Sequence, residues 1–433
     1  DVSMRFIPPP RRLRVVSLPT IVLLLAGALA APIHAASPAA SPIALRDAVT
    51  AAWRAHPSAR ATDATLAAAR ARADAAGRPL YNPEVQFAAD DEGTDRTTTA
   101  GVSLALDLSG KRRARRDAAA SQLDVAVAQA RLSRRDFVAA WLVGWADWQS
   151  ASRRVQQGEQ RLALISRFAD LADKQFGVGD ISSLERDLAR LARDEAEAEQ
   201  AALLAEAAEA EEAFRNVGGQ PDAVASDSAW SQALPDVALA PTTWEALPEW
   251  QIAQAQSEGA ARQVTVAQRD RVPDPTLALT GGRIDYGPVS DNVVGVSLSV
   301  PLFVRNPYRA EVVAALADAD AAAAQADITG AQLASRAQRT AASYAAVRRA
   351  FARWSQSTGT DVEKRAELLE RLWRAGELST ADYLLQLKQT LDTALAGAAL
   401  EGQLWRRATD YLAATGQLEA WLGMNDATGE TSR

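Results

Sequence analysis

The sequence predicts a mainly α-helical fold with a small β part, in which a helix–strand–strand–long helix–helix unit occurs twice. Residues 101–115 read GVSLALDLSGKRRAR and residues 295–309 read GVSLSVPLFVRNPYR, so an alternating run twice leads into an Ala-rich segment. From residue 111 to residue 176 the chain has no proline and only two glycines, which predicts a helix of about 100 Å.

The N-terminal 35 residues are predicted to be a signal peptide, followed by a short segment at 36–43. Four arginines precede an apolar run at 15–31, and Ile33-His34-Ala35 offers a cleavage site. A membrane anchor is the alternative, but Pro19 interrupts the run, which is short for a span. The chain has no cysteine, which excludes disulfides, and its net charge of −7 disfavours a nucleic-acid partner.

The first predicted repeat covers residues 44–219. Its expected elements are a helix at 48–76, strands at 84–89 and 97–108, the long helix, and a further helix after a glycine-centred break.

The second predicted repeat covers residues 244–416. Its expected elements are a helix at 251–271, strands at 276–281 and 292–303, a long helix from 307 to 373, and a last helix. Residues 220–243 are predicted to link the repeats, and residues 417–433 form a C-terminal tail.

The second strand of each repeat alternates strictly between apolar and small or polar residues. Val102, Leu104 and Leu106 alternate with Gly101 and Ser103. This period of two suits either a soluble sandwich or an outer-membrane barrel.

The helices favour the barrel, because a globular core cannot bury helices of such length and they pack laterally as coiled coils instead. The expected packing is one continuous helix beside two shorter helices stacked end to end. Four strands cannot close a barrel, and lipid does not permit open strand edges. Several chains must therefore share one barrel.

No catalytic or cofactor-binding constellation is present in the sequence. Only two histidines occur, of which His34 leaves with the signal peptide and His56 is interpreted as structural. Trp141, Trp145 and Trp148 share one helix face and are interpreted as packing residues. We therefore expect no enzyme activity, no cofactor and no chelating site for soft metals.

Two break motifs carry a family resemblance. Residues 176–185 read FGVGDISSLE and residues 373–382 read WRAGELSTAD, at matching places of the two repeats. Together with the strand-to-helix joints they make the chain resemble the TolC family of outer-membrane efflux proteins. The segments NPEV (82–85), SGKRR (109–113) and GELS (376–379) are most similar to the CzcC-like heavy-metal branch. Drug-efflux and type I secretion channels remain alternatives within the family.

Two departures from an exact duplication accompany this resemblance. Asp107 stands where the second repeat has Pro301, and the second repeat lacks the basic cluster that follows the first.

The resemblance implies a homotrimer with a shared 12-stranded β-barrel in the outer membrane and an α-helical tunnel across the periplasm. It implies a passive conduit, most similar to those for heavy-metal cations, that works with a periplasmic adaptor (membrane fusion) protein and an inner-membrane RND pump. A periplasmic adaptor or coiled-coil scaffold is the alternative from another class, although an adaptor would normally carry a single hairpin.

The resemblance also implies three groups of site residues. The periplasmic tip, where the adaptor docks, is formed by Val178, Gly179, Asp180, Ala375, Gly376 and Glu377. The pore gate is formed by Glu185 and Asp382, with Leu385 where drug-efflux members often have a second aspartate. A basic cluster for phospholipid headgroups is formed by Lys111, Arg112, Arg113, Arg115 and Arg116. Ordinary helix capping accounts for the same glycines and acids.

Overall fold

A computed structural model describes residues 43–93, 95–221, 234–236, 244–357 and 362–424. The predicted signal peptide and most of the predicted linker lie outside these ranges, as does most of the tail. The domain boundaries given above stay predictions.

Helices and strands follow one another in the order that the duplication predicts. The first half contains α1 (Ile43–Ala55), α2 (Pro57–Gly77), β1 (Glu84–Glu92), β2 (Asp95–Ala105), α3 (Lys111–Val178) and α4 (Ser183–Asn216). After a short 3₁₀ turn (Trp244–Ala246), the second half contains α5 (Pro248–Asp270), β3 (Thr276–Asp285), β4 (Ser290–Ser299), α6 (Arg309–Ser357), α7 (Val362–Arg374), α8 (Thr380–Ala414) and α9 (Leu418–Trp421). The predicted continuity of the second long helix cannot be followed through residues 358–361, which lie outside the described ranges.

The prediction of one helix over 48–76 is wrong, because the chain breaks at His56 and Pro57. Proline lacks an N–H and is tolerated at the first position of a helix, which is where Pro57 begins α2. The Nδ1 of His56 accepts a hydrogen bond from the Ser58 N–H at 3.2 Å and so caps α2. This geometry agrees with the structural interpretation of His56.

The predicted strand ends also need correction. β2 ends at Ala105 instead of residue 108, because the Asp107 carboxylate accepts from the Lys111 and Arg112 N–H groups at 2.8 and 2.9 Å and caps α3. β4 ends at Ser299, two residues before Pro301, which has no N–H for a ladder. β1 and β3 run three and four residues further than predicted, and the β1–β2 hairpin turns at Gly93, whose φ is 70°.

The four strands form one antiparallel sheet in the order β1-β2-β3-β4. Glu84 lies opposite Ser103, Ala105 opposite Thr276, and Thr276 opposite Ser299, so every connection to a helix leaves from the same end of the sheet. One face carries exposed apolar side chains, among which Phe87 is 81% and Val294 is 78% exposed. The other face carries small residues, including Gly101, Ser103 and Thr280.

Helix α3 is the central helix of the helical part. Its 68 residues correspond to about 100 Å, and it packs against α2 and α4 of its own repeat and against α5 and α8 of the other. Helix α6 packs in the same way against α5 and α8. The predicted arrangement of one long helix beside two shorter ones is therefore confirmed.

Two apolar cores occur along these helices. The larger one joins α1, α3, α4, α6, α8 and α9, and Trp141, Trp145, Phe214, Tyr344 and Tyr411 are buried there. Trp141 packs edge-on against Phe214 at 5.1 Å, while Trp148 stacks on the same ring at 5.7 Å. The interpretation of the three tryptophans as packing residues is confirmed. The smaller core lies near the turns that end α3 and α7.

We predict that Gly397→Ala destabilises the protein, whereas Gly177→Ala does not. A Cβ at Gly397 would lie 1.8 Å from the Trp354 ring, and overpacking of this kind costs about 1–3 kcal/mol. Gly177 is also helical, but a Cβ there meets nothing within 4 Å, so alanine gains roughly 0.5–1 kcal/mol of helix propensity. Thermal unfolding followed by the helical circular dichroism signal separates the two variants. Equal midpoints would contradict the close approach of α8 to α6.

Candidate functional site

The first break ends α3 with a left-handed glycine. Gly179 has φ 84°, its N–H donates to the Phe176 carbonyl at 3.1 Å, and the Asp180 N–H donates to the Gln175 carbonyl at 2.9 Å. These two bonds satisfy carbonyl groups at the end of the helix. We call residues 179–182 turn one. Val178 precedes it and is 73% exposed.

The second break has the same backbone geometry. Gly376 has φ 76°, its N–H donates to the Trp373 carbonyl at 2.9 Å, and the Glu377 N–H donates to the Leu372 carbonyl at 3.0 Å. We call residues 375–379 turn two. All six residues of the predicted periplasmic tip are exposed, and we call turn one and turn two together the tip.

An aromatic cluster brings the two turns together. Phe168 of α3 lies 4.6 Å from Trp373 of α7 and 4.5 Å from Tyr383 of α8, measured between ring centroids. All three rings are buried, together with Leu387 and Leu391 of α8. Burial raises the pKa of Tyr383 to about 12, so this hydroxyl stays neutral over the physiological range.

A chain of hydrogen bonds connects the helical hairpin formed by α7 and α8 to the one formed by α3 and α4. The Trp373 indole Nε1–H donates to the Thr380 Oγ1 at 3.2 Å, and the Thr380 hydroxyl donates to the Glu185 Oε1, also at 3.2 Å. We call Trp373, Thr380 and Glu185 the tip relay. It directly links the first turn of α8 to the first turn of α4.

Glu185 is also the reciprocal partner in a capping box. Its Oε2 accepts from the Ser182 N–H at 2.8 Å and from the Ser182 hydroxyl at 2.9 Å, while its own N–H donates to the Ser182 Oγ at 3.2 Å. These bonds from Ser182 and the one from Thr380 lower the pKa of Glu185 from its usual 4.5. The stabilisation is present above that value and is lost as the pH falls through the lowered pKa.

Asp382 occupies the equivalent position in repeat two, but its carboxylate accepts fewer hydrogen bonds than that of Glu185. Its Oδ2 accepts from the Ser379 hydroxyl at 2.7 Å, and its N–H donates to the Ser379 Oγ at 3.1 Å. The side chain is exposed, as is Leu385 one helical turn further along. Glu185 therefore completes a capping box and belongs to the tip relay, whereas Asp382 only contacts the Ser379 that caps α8.

Ion pairs continue the connection between the hairpins away from the tip. The Arg161 guanidinium of α3 is buried and lies 3.0 Å from the Asp392 carboxylate of α8. Arg161 also pairs with Glu199 of α4, and Lys388 of α8 pairs with Glu195 of α4. Helices of both repeats thus share one network of charges.

Lys111 does not belong with the exposed arginines of the predicted headgroup cluster. Its ammonium is buried 2.8 Å from the Asp274 Oδ2, which also accepts from the Tyr81 hydroxyl at 2.5 Å. A buried ammonium in an ion pair cannot reach a headgroup, so a headgroup contact for Lys111 is excluded in this arrangement. Arg112, Arg113, Arg115 and Arg116 are exposed, although Arg115 lies 3.3 Å from Asp270.

The functional prediction from the sequence missed Thr380 and Asp274. Thr380 follows the capping Ser379 as Ser183 follows Ser182, so an alignment of the two repeats would have indicated it. Asp274 stands between Pro273 and Pro275 at a strand start, which is an unusual place for a carboxylate. Glu185 was predicted as a functional residue, but Thr380, which donates a hydrogen bond to it, was not.

The described residues contain neither a metal-binding cluster nor a membrane-spanning helix. In the part of the chain that the structure covers, no three histidine or acidic side chains lie close enough to hold a metal ion. None of the helices within those ranges combines the length and apolar composition of a membrane-spanning helix.

The chain is similar to a known family over part of its length. The family model described as outer membrane efflux protein matches residues 49–220, which extend from α1 through both strands and the long helix to the end of α4. Residues 49–220 are therefore similar to the outer membrane efflux protein family.

Two proteins to which the chain is similar are heavy-metal resistance proteins. The chain is 28% identical over 246 residues to the cobalt-zinc-cadmium resistance protein CzcC of Cupriavidus metallidurans, covering 53% of this chain and 56% of the relative. It is 26% identical over 245 residues to the nickel-cobalt-cadmium resistance protein NccC of Alcaligenes xylosoxydans xylosoxydans, covering 54% and 56%. The chain thus spans about half the length of these relatives, and the predicted resemblance to the CzcC-like branch is confirmed.

A solved structure shows the same fold. The outer membrane protein VceC of Vibrio cholerae superposes with a TM-score of 0.69 at 19% identity, over 86% of this chain and 96% of that one. The TolC-like fold that the motifs predicted is therefore confirmed.

We predict that Glu185→Ala loosens the tip, whereas Glu185→Gln does not. Alanine removes the capping box and the acceptor of Thr380, while the glutamine carbonyl can still accept from Ser182. Losing a helix cap costs about 1 kcal/mol, so amide exchange across residues 182–187 should speed up on the order of fivefold. Hydrogen exchange measured by mass spectrometry reports this opening.

The same measurement has an internal pH control. Lowering the pH through the lowered pKa of Glu185 protonates the carboxylate and should accelerate exchange at these amides in the wild type, relative to flanking amides. The Glu185→Gln variant should lack this pH dependence. If the alanine and glutamine variants exchange alike, the capping box does not hold the tip.

Proposed function

We propose that the chain is the outer-membrane channel of a tripartite efflux system of the RND type, and that it acts as a homotrimer. Its helices extend into the periplasm, and a periplasmic adaptor protein and an inner-membrane pump complete the system. The chain has no catalytic role. It is a passive conduit, and the pump supplies the energy.

The observation that carries this proposal is the sheet. Within the described strands, β1 and β4 each have a neighbour on one side only, and the sheet exposes a continuous apolar face. Water does not favour such a face, and lipid does not favour open strand edges. Three copies joined edge to edge would make twelve strands with no free edge, apolar outside and small or polar inside.

Heavy-metal cations are the proposed cargo. CzcC is a cobalt-zinc-cadmium resistance protein and NccC a nickel-cobalt-cadmium resistance protein, and each resembles about half of this chain. A conduit for ions needs no chelating site. Weak attraction at several places allows a cation to enter and leave.

The tip is the proposed docking surface for the adaptor, and Glu185 and Asp382 are the proposed gate. The two turns are exposed, share one backbone geometry and are joined by the tip relay. Trimer symmetry would bring three copies of each acid around one axis, where like charges attract cations and repel one another. Opening is a shift between two arrangements of the tip helices, biased by adaptor binding.

We predict that deleting the gene lowers tolerance to zinc, cobalt or cadmium and leaves tolerance to organic dyes unchanged. Tolerance should return with the wild-type gene. A protein purified from the outer membrane should behave as a trimer that dissociates on heating. A water-soluble monomer, or a loss of dye tolerance alone, would contradict the heavy-metal channel.

We predict that the double variant Asp382→Ala, Glu185→Ala raises single-channel conductance in planar bilayers and lowers the preference for cations. In the proposed trimer these acids surround one axis, so replacing them with alanine widens the passage there and removes negative charge. Asp187→Asn is a matched control, since Asp187 is an exposed acid of α4 that lies 2.7 Å from Arg186. Unchanged conductance in the double variant would remove both acids from the gate.

A further inference from the structure

The four connections between strands and helices lie at one end of the sheet and form a single surface. We call residues 74–84, 105–117, 269–276 and 299–311 the joints. The antiparallel register sets Glu84, Ala105, Thr276 and Ser299 at this end, while the hairpin turns after Glu92 and Asp285 lie at the other.

Charge is distributed unequally between the two ends of the sheet. The joints contain ten basic and seven acidic side chains, a net charge of +3. Around the hairpin turns, residues 89–97 and 283–291 contain two basic and six acidic side chains, a net charge of −4. The positive end is notable in a chain whose overall net charge is −7. Solubility does not explain the positive charge of the joints, because the net negative charge of the chain already favours solubility.

Buried and partly buried contacts hold the joints against one another. Asp274, before β3, accepts from Tyr81, before β1, and from Lys111, at the start of α3. Asp270 pairs with Arg115 at 3.3 Å, which adds a second link between the ends of α3 and α5.

The fourth joint is tied to the third. The Arg271 Nε donates to the Pro307 carbonyl at 3.3 Å, which links the end of α5 to the segment before α6. All four joints are therefore connected in one row along the end of the sheet.

In the joints after β2 and β4, three exposed arginines have no carboxylate partner among the described residues. They are Arg112, in the joint after β2, and Arg305 and Arg309, in the joint after β4. Three acids of the joints are already engaged: Asp107 caps α3, Asp274 binds Lys111, and Asp270 pairs with Arg115. The guanidinium groups that remain are donors for planar, bidentate recognition of phosphate.

We propose that the joints form a basic collar that binds anionic phospholipid headgroups of the leaflet facing the helices. The proposal rests on the proposed function, because the collar meets headgroups only if the apolar sheet lies in lipid. It differs from the cluster predicted from the sequence. Both repeats contribute to the collar, and Lys111 serves inside it as part of the buried ion pair.

The test is lipid selection by the full chain reconstituted in vesicles of equal parts phosphatidylglycerol and phosphatidylcholine. Lipids retained after detergent extraction are counted by mass spectrometry. One basic side chain near an anionic surface changes affinity about fivefold at low salt. The triple variant Arg112→Gln, Arg305→Gln, Arg309→Gln should therefore lose on the order of tenfold or more of the wild-type enrichment in phosphatidylglycerol.

A matched triple variant separates the collar from general charge. Arg349→Gln, Arg365→Gln and Arg371→Gln remove three exposed arginines from α6 and α7, and this variant should keep the wild-type enrichment. Raising the salt concentration should weaken the enrichment in the wild type.

Two results would overturn the collar and leave the proposed channel standing. They are a wild type that inserts but retains both lipids equally, and a loss of enrichment in the matched variant equal to that in the collar variant. A wild type that fails to insert into vesicles of either lipid would overturn the collar and the proposed channel together.

Discussion

Unpaired backbone groups on the outer edges of β1 and β4 are the constraint on which the rest of the molecule depends. Each edge presents N–H and C=O groups that the described strands of the same chain leave without a partner. In lipid each such group costs several kcal/mol, and only a closed sheet removes the cost. The exposed side chains of Phe87 and Val294 give one face of this sheet an apolar surface that suits lipid. All four connections to helices leave from one end of the sheet, because each antiparallel hairpin returns the chain to the end at which it entered.

A buried ion pair between Lys111 and Asp274 stabilises the joints, which connect the strands to the helices. Bringing Lys111 and Asp274 out of water is costly, and a well-packed apolar pair of similar volume can be as stable. What the ion pair adds is geometry, since Asp274 accepts from residues on two different connections and so fixes where α3 starts relative to β1 and β3. The repeats are unequal here. Asp107 caps α3, whereas Pro301 and Asn306 occupy the equivalent stretch of repeat two.

The sequence was sufficient for the order of elements, the duplication and both breaks, because these follow from local signals. Period-two alternation marks β2 and β4, and Gly179 and Gly376 supply the left-handed conformation at helix ends. Boundaries failed where a side chain competed with the backbone, as at Asp107, and where Pro57 interrupted an Ala-rich helix. The tip relay and the joint ion pair could not be predicted, because they connect residues 195 and 163 positions apart and no local pattern encodes such pairing.

The two turns share a backbone but differ in chemistry, and this asymmetry divides the work between the predicted gate residues. The Glu185 carboxylate receives three hydrogen bonds, two from Ser182 and one from Thr380, which spread its charge over fixed dipoles. Asp382 is one methylene shorter and receives a single bond from Ser379. A cation passing the tip would therefore be attracted more strongly by Asp382, which keeps an open oxygen and is exposed. Glu185 is better suited to hold the hairpins together, so any movement that opens the tip must first break or carry along its bond to Thr380.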